Sequence, residues 1–171
     1  MSLVSIILPY YKKKKFIKKS IESILSQSYK KFELIIIYDD EDHEDLKFIK
    51  KLIKKDKRIK FIINNKNIGA GLSRNKGIKF SKGNYICFID ADDKWKNNKL
   101  EKQIQFMKAN NYSISHTSYK IINEKNNVIG FRQARTFKNL NELLKSCDIG
   151  LSTVILKKKI LRKNIKFPDL K

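Results

Sequence analysis

The sequence predicts an α/β domain built on a mostly parallel, doubly wound sheet flanked by helices. Short apolar runs alternate along the chain with segments whose apolar residues recur at helical spacing. The short runs are apolar throughout, as expected for strands that are covered on both faces. Alternation of such strands with helices implies right-handed βαβ units, and therefore parallel strands.

The first part of the chain supplies the regular elements. The predicted strands are residues 3–8, which Pro9 should end, Phe32–Tyr38, Ile59–Ile63 and residues 85–89. Helical faces are predicted within residues 17–25, 46–53 and 100–107, and Gly69–Phe80 should be a glycine-rich loop that runs into a helix.

The second part is less regular. Residues 113–122 could form a strand, and Val128–Arg132 could return after a polar turn at residues 123–127. A short helix at 140–144 and a short strand at 153–156 follow. No repeat and no linker rich in proline, glycine or serine divides the chain, so residues 1–171 are interpreted as one domain.

Composition restricts the class of protein. With 171 residues and 41% hydrophobic residues, the chain can bury a substantial core. No apolar run approaches the roughly 20 residues that span a bilayer, and the N-terminus lacks the pattern of a signal peptide. Two cysteines do not make a disulfide framework. The expected location is therefore the cytoplasm.

The net charge of +22 is nearly all due to lysine, and three interpretations remain open. The lysines could form an ordinary solvated surface, attract an anionic membrane from its inner face, or bind nucleic acid. Nucleic acid is disfavoured, because base readout and phosphate clamping favour arginine, which is scarce here.

Polar and aromatic residues follow three of the predicted strands where each strand ends. They are Pro9-Tyr10-Tyr11, Asp39-Asp40 and Asp90-Ala91-Asp92-Asp93. Because parallel strands end at the same edge of a sheet, and ligands bind beyond that edge, these groups should share one site.

The Asp90–Asp93 segment suggests a cation site. Asp90 and Asp92 offer oxygen ligands, which Mg²⁺ and Mn²⁺ prefer, and such ions complete their shells with waters or substrate phosphates. A cation held there can neutralise a diphosphate. The alternative is a polar turn in which Asp93 caps the next helix.

The remaining candidates are weaker individually. Asp39 or Asp40 could accept a hydrogen bond from a nucleobase or ribose, or could belong to a solvated acidic loop. Tyr10 or Tyr11 could stack on a base, or pack on the core. Arg74, in the glycine-rich segment, could pair with a phosphate.

Six segments form an ordered series along the chain. They are residues 4–11, 23–29 and 32–40, Asn67-Ile68-Gly69 with residues 73–77, residues 82–86, and Phe88-Ile89-Asp90-Ala91-Asp92-Asp93. Over nearly the whole chain this series resembles the inverting GT-A glycosyltransferases of family 2, whose DXD motif would be Asp90-Ala91-Asp92. The resemblance implies a GT-A fold, a Rossmann-like nucleotide-diphospho-sugar transferase sheet flanked by helices.

The resemblance also implies a donor site. Its residues would be Pro9, Tyr11, Asp39, Asp40, Arg74, Asp90, Ala91 and Asp92. Pro9 and Tyr11 would line the nucleobase pocket, and Asp39, with Asp40, would hold the base. Arg74 would lie near the base or diphosphate. Asp90 would contact the ribose, and Asp92, with Asp90 nearby, would ligate Mn²⁺ or Mg²⁺.

The implied activity is metal-dependent transfer of a sugar from a nucleotide-sugar to an acceptor hydroxyl, in the synthesis of surface polysaccharide or lipopolysaccharide. The acceptor would be a glycan or glycolipid. UDP is the commonest nucleotide in the family, and GDP and dTDP stay open.

Three departures from the family pattern affect this expectation. Lys12 stands where the family often has asparagine, and Glu41-Asp42-His43 replaces the usual Gly-Ser-Thr. In similar enzymes the Glu-Asp pair with the catalytic base lies just beyond the position of Lys171. Asp148 and Asp169 are unsupported substitutes. The chain is therefore expected to be a donor-binding portion that lacks the acceptor part, and nucleotide-sugar binding without transfer is the alternative function.

Overall fold

The computed structural model describes residues 1–136, 141–142, 149–161 and 165–169. Its strands are β1 (Val4–Tyr10), β2 (Phe32–Tyr38), β3 (Ile59–Ile63), β4 (Tyr85–Phe88), β5 (Ile114–Ser115), β6 (Tyr119–Ile122), β7 (Val128–Arg132) and β8 (Ile155–Lys157). Its helices are α1 (Lys14–Leu25), α2 (His43–Ile53), α3 (Gly69–Phe80) and α4 (Lys99–Ala109).

A six-stranded sheet of order β3-β2-β1-β4-β8-β5 forms the centre. β1 pairs in parallel with β2 and β4, and β2 pairs in parallel with β3, so the predicted mostly parallel α/β sheet is confirmed. β8 runs antiparallel to both β4 and β5. The short apolar run that forms β8 carries no signal of strand direction.

The central strands are buried on both faces, as their continuous apolar runs predict. Every residue of β1 is buried. Ile6 and Leu8 pack on one side of the sheet with the apolar faces of α1 and α4, whereas Ile7 packs on the other side with Ile78 of α3. This two-sided packing fixes the register of β1 and β2, and therefore fixes the edge at which both strands end.

Pro9 does not end the first strand, contrary to the sequence prediction. β1 continues to Tyr10, and Pro9 is registered with Ile37 of β2. The register of β4 on the other side of β1 stops at Ile7. Pro9 therefore lies where β1 has an open edge on that side, and a missing N–H is tolerated at such a position.

The region after α4 also differs from its prediction. Residues 113–122 are not one strand but β5 in the central sheet and β6 in a separate hairpin with β7. A 3₁₀ turn, Leu151–Thr153, precedes β8, where a strand at 153–156 was expected. Of the helix predicted at 140–144, only residues 141–142 are among the described residues, and these are helical.

Candidate functional site

A cavity of about 470 Å³ opens at the carboxyl edge of the parallel strands. It collects residues from the ends of β1, β2 and β4 and from the start of α3. Its lining consists of Pro9, Tyr10, Tyr11, Lys13, Asp39, Asn67, Gly69, Ala70, Arg74, Asp90, Ala91 and Asp92. Seven of the eight residues predicted for the donor site are therefore together in one cavity, and Asp40 is the exception.

Asp39 is fixed by neutral hydrogen-bond donors. Its Oδ1 accepts from Asn64 Nδ2 at 2.7 Å and from the Ile68 backbone N–H at 2.9 Å, and its backbone carbonyl accepts from Asn67 Nδ2 at 3.0 Å. Asp39 is only 2% exposed. Because the loop between β3 and α3 donates three hydrogen bonds to it, its position is set before any ligand arrives.

Asp40 shapes the rim but does not line the cavity. Its Oδ2 accepts from the Lys12 backbone N–H at 2.8 Å, and its Oδ1 accepts from the Glu41 backbone N–H at 2.8 Å. The carboxylate thus joins the loop after β1 to the loop after β2. Its contacts favour a supporting role over direct contact with a base.

The two tyrosines at the end of β1 have different environments. Tyr10 is fully buried, stacks on Tyr38 with ring centroids 5.3 Å apart, and donates its hydroxyl hydrogen bond to Asp45. Burial, together with the Asp45 carboxylate, raises the pKa of Tyr10 well above its ordinary value. Tyr11 is 45% exposed, so its ring is the aromatic surface that a ligand in the cavity can reach.

Arg74 and Asp90 form an ion pair across the cavity. Arg74 Nη2 lies 2.6 Å from Asp90 Oδ1, and the Arg74 side chain is only 15% exposed whereas that of Asp90 is 41% exposed. The guanidinium lies over the Phe167 ring at 5.5 Å, and its buried Nε has no hydrogen-bond partner among the described residues. At least one N–H donor of the Arg74 guanidinium is thus without a hydrogen bond to the described residues.

Lys13 and Asp92 form a second ion pair, and both lie closer to solvent. Lys13 Nζ is 2.8 Å from Asp92 Oδ2, and the two side chains are 44% and 38% exposed. The hydrogen bond to Asp92 raises the pKa of Lys13, so this amine stays charged at neutral pH. The sequence prediction had placed Asp92 as a metal ligand without a protein cation beside it.

The chemistry of Asp90 and Asp92 suits a hard divalent cation, since both supply carboxylate oxygens at the mouth of the cavity. The described part of the chain contains no cluster of three or more His, Cys, Asp or Glu residues that could hold a metal. Asp90 and Asp92 alone would be an incomplete shell, which fits an ion that also takes water and phosphate oxygens.

Hydrogen bonds with Ser152 and Gln27 support the Asp90–Asp93 loop and the residues that follow it. The Asp90 N–H donates to Ser152 Oγ at 3.1 Å, and Trp95 Nε1 donates to the Ser152 carbonyl at 2.8 Å. Just beyond the end of α1, Gln27 Nε2 donates to the Lys96 carbonyl at 2.8 Å, and Gln27 Oε1 accepts from the Leu100 N–H at 3.0 Å. The matched segment 23–29 therefore acts by positioning this loop.

The described residues do not supply an evident base for an acceptor. The carboxylates that line the cavity are Asp39, Asp90 and Asp92, and each already has a hydrogen-bond or ion-pair partner. Asp169 is exposed and is not among the lining residues. Asp148 lies outside the described residues.

Several contributors were missed by sequence reasoning. Lys13 and Asn67 line the cavity, and Asn64 orients Asp39, but none of them was predicted for the site. Gly69 and Ala70 also line it, and they belong to the glycine-rich segment that the sequence had singled out. Asn64 directly follows β3, so the rule that found Asp39 and Asp90 at strand ends could also have found it. Lys13 had no signal, since it is one of four consecutive lysines.

Among the residues that the structure describes, no helix combines the length and apolar character needed to cross a bilayer.

Curated relatives resemble nearly all of this chain. An Escherichia coli protein named UDP-Glc:alpha-D-GlcNAc-diphosphoundecaprenol beta-1,3-glucosyltransferase WfgD is 42% identical over 159 residues, which are 93% of this chain and 62% of that protein. The chain spans only part of the length of such relatives, for example 24% of a Rickettsia bellii glycosyltransferase that is 39% identical and 68% of a Haemophilus influenzae glycosyltransferase that is 35% identical.

Solved structures show the same fold. TarS 1–349 of S. aureus, solved in complex with UDP, superposes with a TM-score of 0.77 at 23% identity, over 97% of this chain and 50% of that chain. The mannosyltransferase PcManGT of Pyrobaculum calidifontis, solved with GDP-Man and Mn²⁺, gives a TM-score of 0.73 at 13% identity, over 98% of this chain and 48% of that chain.

These neighbours are GT-A glycosyltransferases, and the predicted GT-A fold is therefore confirmed. The family model described as Glycosyl transferase family 2 matches residues 5–165, a range that includes the ends of β1, β2 and β4 and the start of α3, where the cavity lies. The chain belongs to glycosyltransferase family 2.

Proposed function

We propose that this chain binds a UDP-sugar with a divalent cation in the cavity at the ends of β1, β2 and β4, and transfers the sugar to a lipid-linked glycan acceptor for a surface polysaccharide. The observation that carries the proposal is the convergence of Asp39, Arg74, Asp90 and Asp92 on one cavity. WfgD is named for a UDP-glucose donor and a diphosphoundecaprenol-linked acceptor, and TarS was solved with UDP, which favours UDP among the nucleotides.

The nucleoside would occupy the side of the cavity lined by Pro9, Tyr11 and Asp39. Asp39 Oδ1 is occupied by two protein donors, and its Oδ2 has no hydrogen bond from the described residues, so that oxygen would be the one to accept from a base N–H. The Tyr11 ring provides an exposed surface for stacking. The carboxylate reads the base edge, and the ring adds apolar contact.

The diphosphate would occupy the side lined by Arg74, Asp90, Asp92 and Lys13. Both cations now hold carboxylates, and an arriving diphosphate offers each of them an alternative anionic partner. Asp92 would then hold the divalent cation and Asp90 would contact the ribose. A bound Mn²⁺ or Mg²⁺ would act as a Lewis acid that stabilises charge on the departing diphosphate.

A second function remains a candidate because of the acceptor side. An inverting transfer needs a carboxylate within hydrogen-bond reach of the acceptor hydroxyl, and those lining the cavity are all engaged with other groups. The alternative is a domain that binds the nucleotide-sugar without transfer. A transfer assay with UDP-glucose and a synthetic GlcNAc-diphospho-lipid separates the two. Turnover would exclude the binding-only function, and UDP binding without turnover would exclude transfer by this chain.

The donor site is tested by calorimetry of UDP binding with and without Mn²⁺. Asp92→Ala should abolish the gain in affinity that Mn²⁺ gives, because the carboxylate that holds the cation is removed. Glu44→Ala is the matched control, since it removes an exposed, ion-paired carboxylate that does not line the cavity. If Asp92→Ala binds UDP as the wild type does at every Mn²⁺ concentration, the metal assignment is wrong.

A further inference from the structure

The β6–β7 hairpin presents an apolar face that nothing among the described residues covers. In this register Lys120 lies opposite Phe131, and Ile122 lies opposite Val128. Alternate residues of a strand point to opposite faces, so these four side chains share one face. Val128 and Phe131 are 56% and 57% exposed, and Ile129, at the irregularity in the ladder, is 66% exposed.

The opposite face of the hairpin is directed at the body of the protein. Tyr119 lies on that face, and its ring approaches Gly150 so closely that a Cβ there would be 3.3 Å from Tyr119 Cε1. Tyr119 is half-buried, whereas the residues of the apolar face are exposed. The contact of Tyr119 with Gly150 thus turns Val128 and Phe131 outward, and Ile121, on the same face as Tyr119, is itself 40% exposed.

The tip of the hairpin is tied to the mouth of the donor cavity by two contacts. Lys15 Nζ lies 2.5 Å from Glu124 Oε2, and Lys94 Nζ donates to Asn126 Oδ1 at 2.6 Å. Lys15 and Lys94 are each two residues beyond a member of the Lys13–Asp92 ion pair. A surface that contacted the hairpin face would therefore lie beside the entrance to the cavity.

The positive charge around the apolar face favours an anionic partner. Residues 119–136 contain Lys120, Lys125, Arg132 and Arg135 against one carboxylate, Glu124, which is already paired with Lys15. The mouth adds the run of lysines at positions 12–15. Two copies of a chain with a net charge of +22 would repel each other if these faces met. Apolar side chains bordered by lysine and arginine suit the interface of an anionic bilayer.

We propose that the β6–β7 hairpin docks on an anionic lipid bilayer, with Val128, Ile129 and Phe131 entering the headgroup region and the neighbouring cations contacting lipid phosphates. Its purpose rests on the proposed function: a lipid-linked acceptor is anchored in a bilayer, so this docking brings the acceptor head to the donor cavity. Each cation near such a surface strengthens the attraction. The docking therefore weakens as salt increases.

The test uses vesicles of phosphatidylcholine alone and of phosphatidylcholine mixed with phosphatidylglycerol. Ile129→Ser combined with Phe131→Ser should lower partitioning onto the mixed vesicles by about tenfold or more. Phe106→Ser combined with Tyr112→Ser is the matched control, because these residues form an exposed aromatic pair outside the hairpin, at 52% and 50% exposure. Lys120→Glu combined with Lys125→Glu should reduce binding to mixed vesicles only.

A second readout locates the contact. In Phe131→Trp, brominated lipids should quench the fluorescence of the new tryptophan, whereas in Phe106→Trp they should not. The native Trp95 is buried and gives the same background in both variants. UDP binding, measured in parallel, should be unchanged in all these variants, because none of the substituted residues lines the cavity. Wild-type protein that binds vesicles but not UDP would contradict the proposed function and leave the docking standing.

Three outcomes would overturn the docking. Equal partitioning of the hairpin and control variants would exclude the hairpin as the contact. Equal binding to neutral and anionic vesicles would exclude charge recognition. A wild-type dimer that Phe131→Ser converts to a monomer would show that the face joins two copies of the chain instead.

Discussion

The cavity has two acidic corners, one formed by Asp39 and the other by Asp90 and Asp92, and the carboxylates of the two corners are held in opposite ways. Asp39 is 2% exposed and receives hydrogen bonds from a neutral side chain and a backbone N–H. Asp90 and Asp92 are 41% and 38% exposed and are held by the cations of Arg74 and Lys13. One corner is rigid before a ligand arrives, and the other is held by ion pairs that a charged ligand can exchange.

The difference matters because the two kinds of contact respond differently to a ligand. A buried acceptor that loses its donors leaves unsatisfied groups, so the Asp39 corner resists rearrangement. The exposed Lys13–Asp92 pair contributes only about 0–1 kcal/mol, so a diphosphate can displace it at little cost. In the less exposed Arg74–Asp90 pair, a phosphate would give the guanidinium a second anionic partner. We infer that the Asp39 corner selects the base, whereas the Asp90–Asp92 corner adapts to the diphosphate and its cation.

The largest effect is expected for Asp39→Ala. Removal of the carboxylate leaves Asn64 Nδ2 and the Ile68 N–H without this acceptor in a buried position, which should lower the free energy of unfolding by about 2–3 kcal/mol. UDP binding should be lost as well. Urea denaturation measures the first effect, and calorimetry measures the second.

Asp39→Asn is the control for that experiment. An asparagine keeps one oxygen acceptor for the two donors, so the free energy of unfolding should change far less than in Asp39→Ala. UDP affinity should still fall if the carboxylate contacts a base N–H. Equal stability of the Asn and Ala variants would show that the hydrogen bonds to Asp39 do not stabilise the fold.

Arg74→Lys should have the next largest effect, on ligand binding rather than on the fold. Lysine keeps the charge but loses the planar guanidinium that can hold Asp90 and a phosphate together. UDP affinity should fall about tenfold, equivalent to about 1.4 kcal/mol. Arg58→Lys, which changes an Asp56 ion pair outside the cavity, is the control. Unchanged UDP affinity in Arg74→Lys would place the diphosphate elsewhere.

The same contrast explains what the sequence could and could not predict. Asp39 and Asp90 follow strands that are mostly apolar, and chain order with strand ends sufficed to bring them together. The partners of these aspartates were not predictable in the same way. Asn64 and Lys13 reach them only because the loops fold back, and the length of a flexible lysine side chain in a lysine-rich chain carries no positional signal.

The elements after α4 show the same limit for the fold. β8 is a three-residue strand whose pairing depends on the free edge of β4, which is a tertiary property. The division of residues 113–122 into β5 and β6 likewise depends on which edge each piece meets. Periodicity predicts that such segments are extended, but it cannot assign their partners.

A smaller effect is expected from Lys13→Gln, which should raise the affinity for Mn²⁺ and lower the affinity for UDP. The glutamine removes the cation that now holds Asp92, so Mn²⁺ affinity in the absence of nucleotide should rise by up to about fivefold, the equivalent of an exposed ion pair. UDP affinity in the absence of metal should fall, because a cation near the diphosphate is lost. Electron paramagnetic resonance of free Mn²⁺ measures the first quantity. Lys18→Gln, which changes an exposed lysine of α1, is the control. If Lys13→Gln changed the Mn²⁺ affinity and the UDP affinity in the same direction, the proposal that Lys13 exchanges Asp92 for the diphosphate would be contradicted.

The smallest effect concerns the loop that joins the two corners, and it should stabilise the protein. Lys12 has φ of 48°, in the left-handed region, and the other non-glycine residues with positive φ among those described are Asn111 and Asn126. Asparagine tolerates this conformation better than lysine. Lys12→Asn keeps the backbone hydrogen bond to Asp40 but loses the contact of Lys12 with the Tyr11 ring, so we expect a net gain of about 0.5 kcal/mol in the free energy of unfolding.

Urea denaturation of Lys12→Asn beside Lys14→Asn measures this gain, because Lys14 has no positive φ and its substitution should not stabilise. A lower midpoint for Lys12→Asn would show that the contact with Tyr11 outweighs the backbone strain. That result would also mean that the conformation of this loop depends mainly on the exposed Lys12 cation and its contact with Tyr11, rather than on the hydrogen bond to Asp40. The loop would then resemble the ion-paired Asp90 and Asp92 side chains more than the rigidly held Asp39.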